Sequence, residues 1–312
     1  MTARPPAVAG QFYPASPEQC RAQIEHCLAA ARTHAAGQAA ATAHCVGGIV
    51  PHAGWVCSGP VAAAVVAAVF AEPADTVVVF GAAHRRMNAP AAVYPTGSWE
   101  TPLGEISMDE ALAQAVLRAT SLLTEDPDIH GMEHSIEVEV PFLQHLAPGV
   151  MLLPVLVMPS AAAHEVGRVV ATEARAFGRR VVFLGSTDLT HYGPRYRFTP
   201  HGEGPAALEW AQRVNDRRMI ELMINMRAEE VVEEAMTNRN ACGSGAVAAT
   251  IAACREAGAT QGRLVWHTTS NEVLRDRYGE MDDAVGYAGV VFTAHAMQPD
   301  AGVDDAHGRT DA

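Results

Sequence analysis

Three short apolar runs in this sequence each contain glycine or are directly followed by it, and a histidine follows each run within about seven residues. The runs span residues 46–50, 76–80 and 180–184, and the histidines after them are His52, His84 and His191. Short apolar runs of this kind are typical of strands buried on both faces of a parallel sheet. Ligands of open α/β sheets bind beyond the carboxyl ends of such strands. The repeated pattern therefore predicts an α/β fold in which the three histidines share one site.

The first of these runs shows how the local sequence places a histidine at a strand end. Pro51 stops the strand because it has no N–H to donate. Gly54 and Gly59 allow a tight turn, and Pro60 is predicted to open a small-residue helix over 61–70. A single histidine in such a turn is often a turn or core residue. The threefold repetition is what favours a site.

The rest of the chain alternates predicted helices and strands. Predicted helices span about 17–32, 61–70, 109–120, 135–146, 161–176, 205–224, 227–237 and 246–257. Predicted strands span about 46–50, 76–80, 91–99, 150–158, 180–184, 263–269 and 285–294. Residues 33–43 are predicted to be a connector, and 121–134 and 194–204 are predicted to be turns and loops. We expect a single α/β domain over 1–296, with a central mixed β-sheet flanked by helices, and a disordered acidic tail over 297–312.

Composition excludes several classes of function. All 22 basic residues are arginine, so the 312-residue chain has neither a Schiff-base lysine nor the lysine of a P-loop. A net charge of −13 without a basic cluster argues against a nucleic-acid or anionic-membrane partner. No apolar run approaches the roughly 18 residues of a membrane span. The six cysteines form no CxxC pair, and we expect no signal peptide, reduced thiols and a cytoplasmic location.

Cys242 is a candidate functional thiol, since it lies at the start of the predicted helix over 246–257. The positive end of a helix dipole lowers the pKa of a thiol, and the thiolate is a nucleophile or a soft metal ligand. A small buried cysteine in a glycine-rich turn is the structural alternative. Together with His52 and His84, the Cys242 thiolate would make an open three-ligand metal site.

Seven segments resemble the Memo family, known in bacteria and archaea as AmmeMemoRadiSam system protein B. They are PHAGWVCSGPVAA (51–63), VFGAAH (79–84), TPLGEISMDEAL (101–112), EHSIEVEVPFLQ (133–144), LPVLVM (153–158), GSTDLTHYG (185–193) and ACGSGA (241–246). The N-terminal stretch over 7–14 is also similar to the family. The resemblance runs from about residue 4 to residue 295, and the motifs occur along the chain in the same order as in the family.

The resemblance implies a fold like that of the class III, LigB-type extradiol dioxygenases, with His52, His84 and Cys242 as metal ligands. It also implies a further pocket histidine at His191, with Asp188 just before it. The sequence departs from the family at Ala82 and Ala83, which stand where the family usually has Pro-Ser or Ser-Ser before the histidine. The extradiol enzymes use a carboxylate where Memo proteins have the cysteine.

The side-chain chemistry of the remaining candidate residues suggests acid–base, ligand-orienting and pocket-lining roles. His191 is the candidate general base and His134 a second candidate acid, and Asp188 is predicted to orient His191 or to cap its turn. Glu133 or Glu137 could orient a ligand histidine or form a solvated helix start. Trp55 and Tyr192, next to two of the histidine turns, could line an aromatic substrate pocket or pack in the core, and Glu133 is a further candidate for the substrate pocket.

The function that this set favours is a non-haem Fe(II) dioxygenase acting on a small aromatic or catecholic substrate and O₂. Copper or zinc are alternatives, since they bind nitrogen and sulfur ligands more tightly than iron. One other class is a metal-binding or peptide-binding scaffold with a vestigial site, because eukaryotic relatives of the family are associated with peptide binding and cell motility. A zinc hydrolase is the third class. A shared metal site requires His52 and His84 to lie within about 8 Å of each other, since metal–nitrogen bonds are about 2 Å long.

Overall fold

The structure, a computed structural model, describes residues 3–34 and 44–294. Its strands, numbered in chain order, are β1 Cys45–Val50, β2 Thr76–Ala82, β3 Ala91–Val93, β4 Ser98–Thr101, β5 Gly104–Ser107, β6 Leu123–Glu125, β7 Met151–Val157, β8 Val181–Ser186, β9 His191–Tyr192, β10 Ala259–Thr269 and β11 Ala284–Ala294. The predicted tail over 297–312 lies outside the described residues, as does most of the predicted connector.

One mixed sheet of nine strands forms the centre of the fold, in the order β10-β11-β1-β8-β2-β7-β3-β6, with β9 paired to β11. Strands β1, β8, β2 and β7 are mutually parallel. Strand β11 runs antiparallel to β1, and β3 runs antiparallel to β7. The four parallel strands all end at the same edge of the sheet. The turns that follow β1, β2 and β8 therefore lie side by side.

Helices cover both faces of this sheet. They are α1 Pro17–Thr33, α2 Trp55–Val69, α3 Glu110–Ala119, α4 Pro127–His130, α5 Val140–Leu146, α6 Ala163–Ala176, α7 Pro205–Trp210, α8 Asp216–Ile224, α9 Val231–Asn238, α10 Ser244–Glu256 and α11 Ser270–Tyr278. A π-helical segment, Ala211–Asn215, joins α7 to α8. One buried cluster packs α6 and α10 on one face, and a second packs α1, α2 and α5 on the other. The chain is thus a single α/β domain, as predicted.

Two glycines of β1 allow helices to approach the sheet closely from both sides. A Cβ atom on Gly47 would lie 2.6 Å from the Cys254 sulfur of α10, and one on Gly48 would lie 2.5 Å from Val65 of α2. Both distances are too short for a non-bonded contact of a Cβ atom, so a side chain at either position would clash with the facing helix. The glycines in the first apolar run therefore serve close packing.

Several predicted boundaries are wrong. Helix α2 begins at Trp55 rather than after Pro60, because the Trp55 N–H donates to the Phe12 carbonyl at 2.8 Å and leaves Pro60 inside the helix. The predicted strand over 91–99 is divided between β3 and β4, with a left-handed turn at Gly97. Strand β6 and helix α4 lie in the stretch assigned to turns. Helix α11, which was not predicted, begins with a capping box formed by Thr269 and Glu272. None of the described helices is long and apolar enough to cross a bilayer.

A buried ion pair holds the N-terminal segment against the loop that follows α4. The Arg4 guanidinium donates to the Glu137 carboxylate at 2.7 Å and to the backbone carbonyl of Glu133 at 2.8 Å. Glu137 also accepts the backbone N–H groups of Ala7 and Val8 and the Tyr13 hydroxyl. Glu137 therefore anchors the N-terminal segment, so it is neither solvated nor in contact with a ligand histidine.

Replacing Glu137 with alanine should lower the free energy of unfolding by about 3–5 kcal/mol, because Arg4 would stay buried without its partner. Urea denaturation measures the change. The control is Glu125→Ala at an exposed position, where we expect a change within about 0.5 kcal/mol. Equal effects of the two substitutions would contradict the anchoring role.

Candidate metal centre

His52 lies in the turn after β1 and is only 2 % exposed. Its backbone N–H donates to Asp188 Oδ1 at 2.8 Å, which ties this turn to the one after β8. Its Nδ1 lies 2.7 Å from the Ser186 hydroxyl, and its Nε2 lies 3.2 Å from the Cys242 sulfur. Burial lowers the pKa of His52 to about 4, so the imidazole is neutral and one ring nitrogen has a free lone pair.

Cys242 lies just before α10, and its N–H donates to the Asp188 carbonyl at 3.2 Å. In return the Asp188 N–H points at the Cys242 sulfur at 3.3 Å. The expected depression of the thiol pKa is wrong, however. Burial and the charge of Asp188 outweigh the nearby N–H donors and raise the pKa of Cys242 to about 12. A bound cation would reverse this, since a coordinating thiol is deprotonated outright.

His84 follows β2, and Glu133 orients its ring. The Glu133 carboxylate lies 3.0 Å from His84 Nδ1 and accepts the His84 backbone N–H at 3.0 Å. Burial alone would lower the pKa of His84, but the hydrogen bond and the charge of Glu133 prevail and raise it. Burial would conversely raise the pKa of Glu133, which His84 and backbone N–H groups hold well below the usual range. With Nδ1 engaged, the Nε2 atom of His84 is left for a ligand.

The ligand atoms of His52, His84 and Cys242 all lie within 4.8 Å of one another. The two imidazole rings are 5.3 Å apart between centroids and nearly perpendicular. Each imidazole has its Nδ1 beside an oxygen of the protein, which is the usual way in which proteins orient metal-binding histidines. Two imidazole nitrogens and one sulfur on one side of a shared point fit a late first-row metal ion with open positions.

A second group of potential ligands, His84, Glu133 and His134, is also close enough to hold an ion. Hydrogen bonds already occupy its carboxylate, because Glu133 Oε1 accepts the N–H groups of His134 at 2.8 Å and of Ser135 at 2.9 Å, besides facing His84. Coordination there would break these bonds. We therefore interpret Glu133 as the residue that orients His84, not as a ligand or a wall of the substrate pocket.

Replacing Glu133 with glutamine should weaken metal binding by about 10- to 100-fold, the usual cost of losing a partner that orients a ligand histidine. The amide keeps the size of the side chain but removes the charge beside His84. Calorimetric titration with Zn²⁺ measures the change, with Glu125→Gln as the exposed control. Wild-type affinity in Glu133→Gln would show that the charge of Glu133 does not act on the metal ligand.

The His134 ring lies close to the rings of His52 and His84, whereas the nearest groups to the His191 ring are Asp188 and Tyr196. The His134 ring stacks on His84 at 4.8 Å between centroids, and Phe12 packs against it at 4.9 Å. Burial lowers the pKa of His134. The Nε2 atom of His191 lies 4.0 Å from Asp188 Oδ2, too far for a hydrogen bond, and its side chain is 38 % exposed. Burial would raise the pKa of Asp188, but the nearby His52 and His191 imidazoles and the His52 N–H outweigh it and lower the pKa.

Trp55 and Tyr192 pack in the core and do not line the site. The Trp55 ring lies between Tyr13 and Phe142, and its indole N–H donates to the Val138 carbonyl at 2.9 Å. The Tyr192 hydroxyl donates to the Gly202 carbonyl at 2.9 Å in a separate small cluster. Both side chains are at most 2 % exposed, so neither can touch a substrate.

Three residues at the site were not identified from the sequence. Ser186 contacts His52, Phe12 packs on His134, and Tyr196 stacks on His191. The hydroxyl in the motif GSTD was a signal for Ser186, since ligand histidines take a partner through their second nitrogen. No local signal pointed to Phe12 or Tyr196, because both reach the site through loops.

Comparison with known proteins places these features in one family. The family model of the Memo-like proteins matches residues 4–291. The chain is 35 % identical over 301 residues to MEMO1 family protein TK1477 of Thermococcus kodakarensis, covering 93 % of this chain and 99 % of that protein. It is 36 % identical to MEMO1 family protein MK0963 of Methanopyrus kandleri, covering 93 % and 98 %. The crystal structure of the uncharacterized protein JW3007 from Escherichia coli K12 superposes with a TM-score of 0.46 at 15 % identity, over 70 % of this chain and 86 % of that one. The match of the family model over residues 4–291 and the identity to the two MEMO1 family proteins establish that the chain belongs to the Memo family.

Proposed function

We propose that this protein is a metal-dependent oxidoreductase that acts on a small aromatic or catecholic substrate with O₂, in the manner of a non-haem Fe(II) dioxygenase. The observation that carries the proposal is the cluster of His52, His84 and Cys242 ligand atoms within 4.8 Å at the carboxyl edge of the parallel strands. The resemblance to the LigB-type enzymes supports the same reaction class.

The residues around the cluster supply what such a reaction requires of the protein. A bound Fe(II) would supply the open coordination positions and the redox chemistry that O₂ needs. His191 is exposed and would accept a proton from a substrate hydroxyl, and the Asp188 carboxylate beside it would stabilise the resulting imidazolium. His134, on the side of the site near Phe12, would return a proton to the product.

Oxygen uptake by the Fe(II)-loaded protein tests the proposal. Protein purified without oxygen and reconstituted with Fe(II) should consume O₂ when catechol or 2-aminophenol is added. The control variant His26→Ala, at an exposed helix position, should behave like the wild type. His52→Ala should consume none. Fully loaded wild-type protein that consumes no O₂ with a panel of catechols and aminophenols would reject the proposal and favour a binding role.

The Cys242 sulfur favours a second candidate, a zinc hydrolase. Two histidines and one cysteine form a donor set that proteins use for catalytic zinc, and this set leaves a position for water. Zinc-loaded protein should then hydrolyse p-nitrophenyl acetate while the iron-loaded protein shows no oxygen uptake. Hydrolysis at the same rate by His52→Ala would exclude the site as its source.

A further inference from the structure

The loop after β9 is closed by backbone hydrogen bonds next to His191. Gly193 and Phe198 exchange two backbone hydrogen bonds, at 2.9 and 3.3 Å. Gly193 has a left-handed φ of +117°, and a Cβ atom there would lie 2.2 Å from Asp283 Oδ1. The same Asp283 oxygen accepts the Arg195 N–H at 3.0 Å. The loop is therefore compact and is attached to the residues that precede β11.

Tyr196 lies at the tip of this loop, where a second element also contacts it. Its N–H donates to the Gly193 carbonyl at 3.1 Å. The Arg239 guanidinium, just after α9, donates to the Tyr196 carbonyl at 3.5 Å and to the Arg197 carbonyl at 3.3 Å, and it lies 4.6 Å from the centre of the Phe198 ring. The backbone of Tyr196 is thus held from both sides.

The Tyr196 ring covers one face of the His191 imidazole, with ring centroids 5.1 Å apart and planes 26° from parallel. The remainder of the Tyr196 ring packs against the small cluster of Val61, Val285 and Tyr287. Burial raises the pKa of the Tyr196 hydroxyl, so the ring is neutral. Tyr196 therefore contacts His191 through its aromatic face.

The backbone of His191 is fixed independently of this contact. The Thr190 N–H donates to Asp216 Oδ1 at 2.9 Å, and the Asn215 amide donates to the Thr190 hydroxyl at 3.1 Å. Strand β9 also pairs His191 with Val285 of β11. The side-chain rotation of His191 is what remains free, because Asp188 Oδ2 at 4.0 Å is too distant to hold the ring by a hydrogen bond.

We propose that Tyr196 is a positioning residue that sets the orientation of the His191 imidazole for proton transfer. The proposal rests on the role of His191 as general base under the proposed function. Stacking on a fixed ring restricts the imidazole to one plane and shields one of its faces, so its Nε2 edge stays on the side of Asp188. Without the aromatic ring, the imidazole would sample other orientations and the fraction competent for proton transfer would fall.

Two substitutions separate the effect of the Tyr196 aromatic ring on His191 from the effects of its hydroxyl and of its side-chain volume. Tyr196→Phe keeps the ring, and Tyr196→Leu keeps an apolar side chain that fills the loop without an aromatic face. The first measurement is labelling of His191 by diethyl pyrocarbonate in the Zn²⁺-loaded protein, followed by mass spectrometry of the peptide. We expect Tyr196→Leu to be labelled about 3- to 10-fold faster than the wild type and Tyr196→Phe at the wild-type rate, since the free energy of an aromatic pair corresponds to a factor of this size.

The second measurement is turnover of catechol by the Fe(II)-loaded variants. In Tyr196→Leu we expect kcat to fall by about 3- to 10-fold with KM within about twofold of wild type, and in Tyr196→Phe we expect wild-type values. A purely structural role would instead change stability without separating kcat from KM.

The outcomes separate this inference from the proposed function. If the wild type never turns over, the proposed function fails, and the labelling rates alone decide the orientation of His191. Wild-type labelling of His191 in Tyr196→Leu would overturn the inference in either case. Equal loss of kcat in Tyr196→Phe and Tyr196→Leu would also overturn it, because the hydroxyl and not the ring would then be responsible.

Discussion

Replacing His52 with alanine should abolish stoichiometric metal binding while the protein stays folded. The substitution removes one of three ligands and leaves only His84 and Cys242, so affinity should fall by more than the roughly 10- to 100-fold expected for losing a residue that merely orients a ligand. The Ser186 hydroxyl would lose its partner, which costs about 1–3 kcal/mol of stability and leaves the fold intact. Metal analysis after dialysis against limiting Zn²⁺ or Fe²⁺ measures the first effect, and thermal unfolding measures the second.

Matched controls make this result specific to the site. His26→Ala removes an exposed imidazole from α1 and should leave metal content unchanged. Cys57→Ala removes a half-buried thiol outside the ligand set and should do the same. Wild-type metal content in His52→Ala, or in Cys242→Ala, would show that the ion binds elsewhere.

Replacing His191 with alanine should leave the metal in place and lower turnover by about 10²- to 10⁴-fold, the usual contribution of a positioned acid–base group. The metal should be retained because His191 is not among the three residues whose ligand atoms converge. Parallel measurements of metal content and of O₂ uptake with a confirmed substrate separate the two effects. His201→Ala is the control, since this exposed histidine lies on the same loop and packs against Trp210 instead.

Asp188→Asn should lower the turnover rate by less than His191→Ala does. The amide oxygen can still accept the His52 N–H, which Asp188 holds at 2.8 Å, while the charge beside His191 is lost. Turnover at the wild-type rate in His191→Ala would show that another group takes the proton, even with the metal site intact.

The sequence by itself determined the parts of this protein that depend on local patterns. Short apolar runs placed His52, His84 and the Asp188–His191 turn at strand ends, and runs buried on both faces are typical of parallel strands. The carboxyl ends of parallel strands share one edge of the sheet, so the turns were expected there, but the adjacency of β1, β8 and β2 was decided by the tertiary structure.

Tertiary structure alone decided which side chains face the site and what charge they carry. Trp55 is a sequence neighbour of a ligand turn yet packs between Tyr13 and Phe142, whereas Tyr196 reaches His191 because Gly193 and Asp283 fold its loop back. The protonation state of the Cys242 thiol was likewise decided by the tertiary structure. Its place before α10 favours a thiolate, but its pKa is governed by the energy of burying a charge, and burial is created by residues far away in the chain.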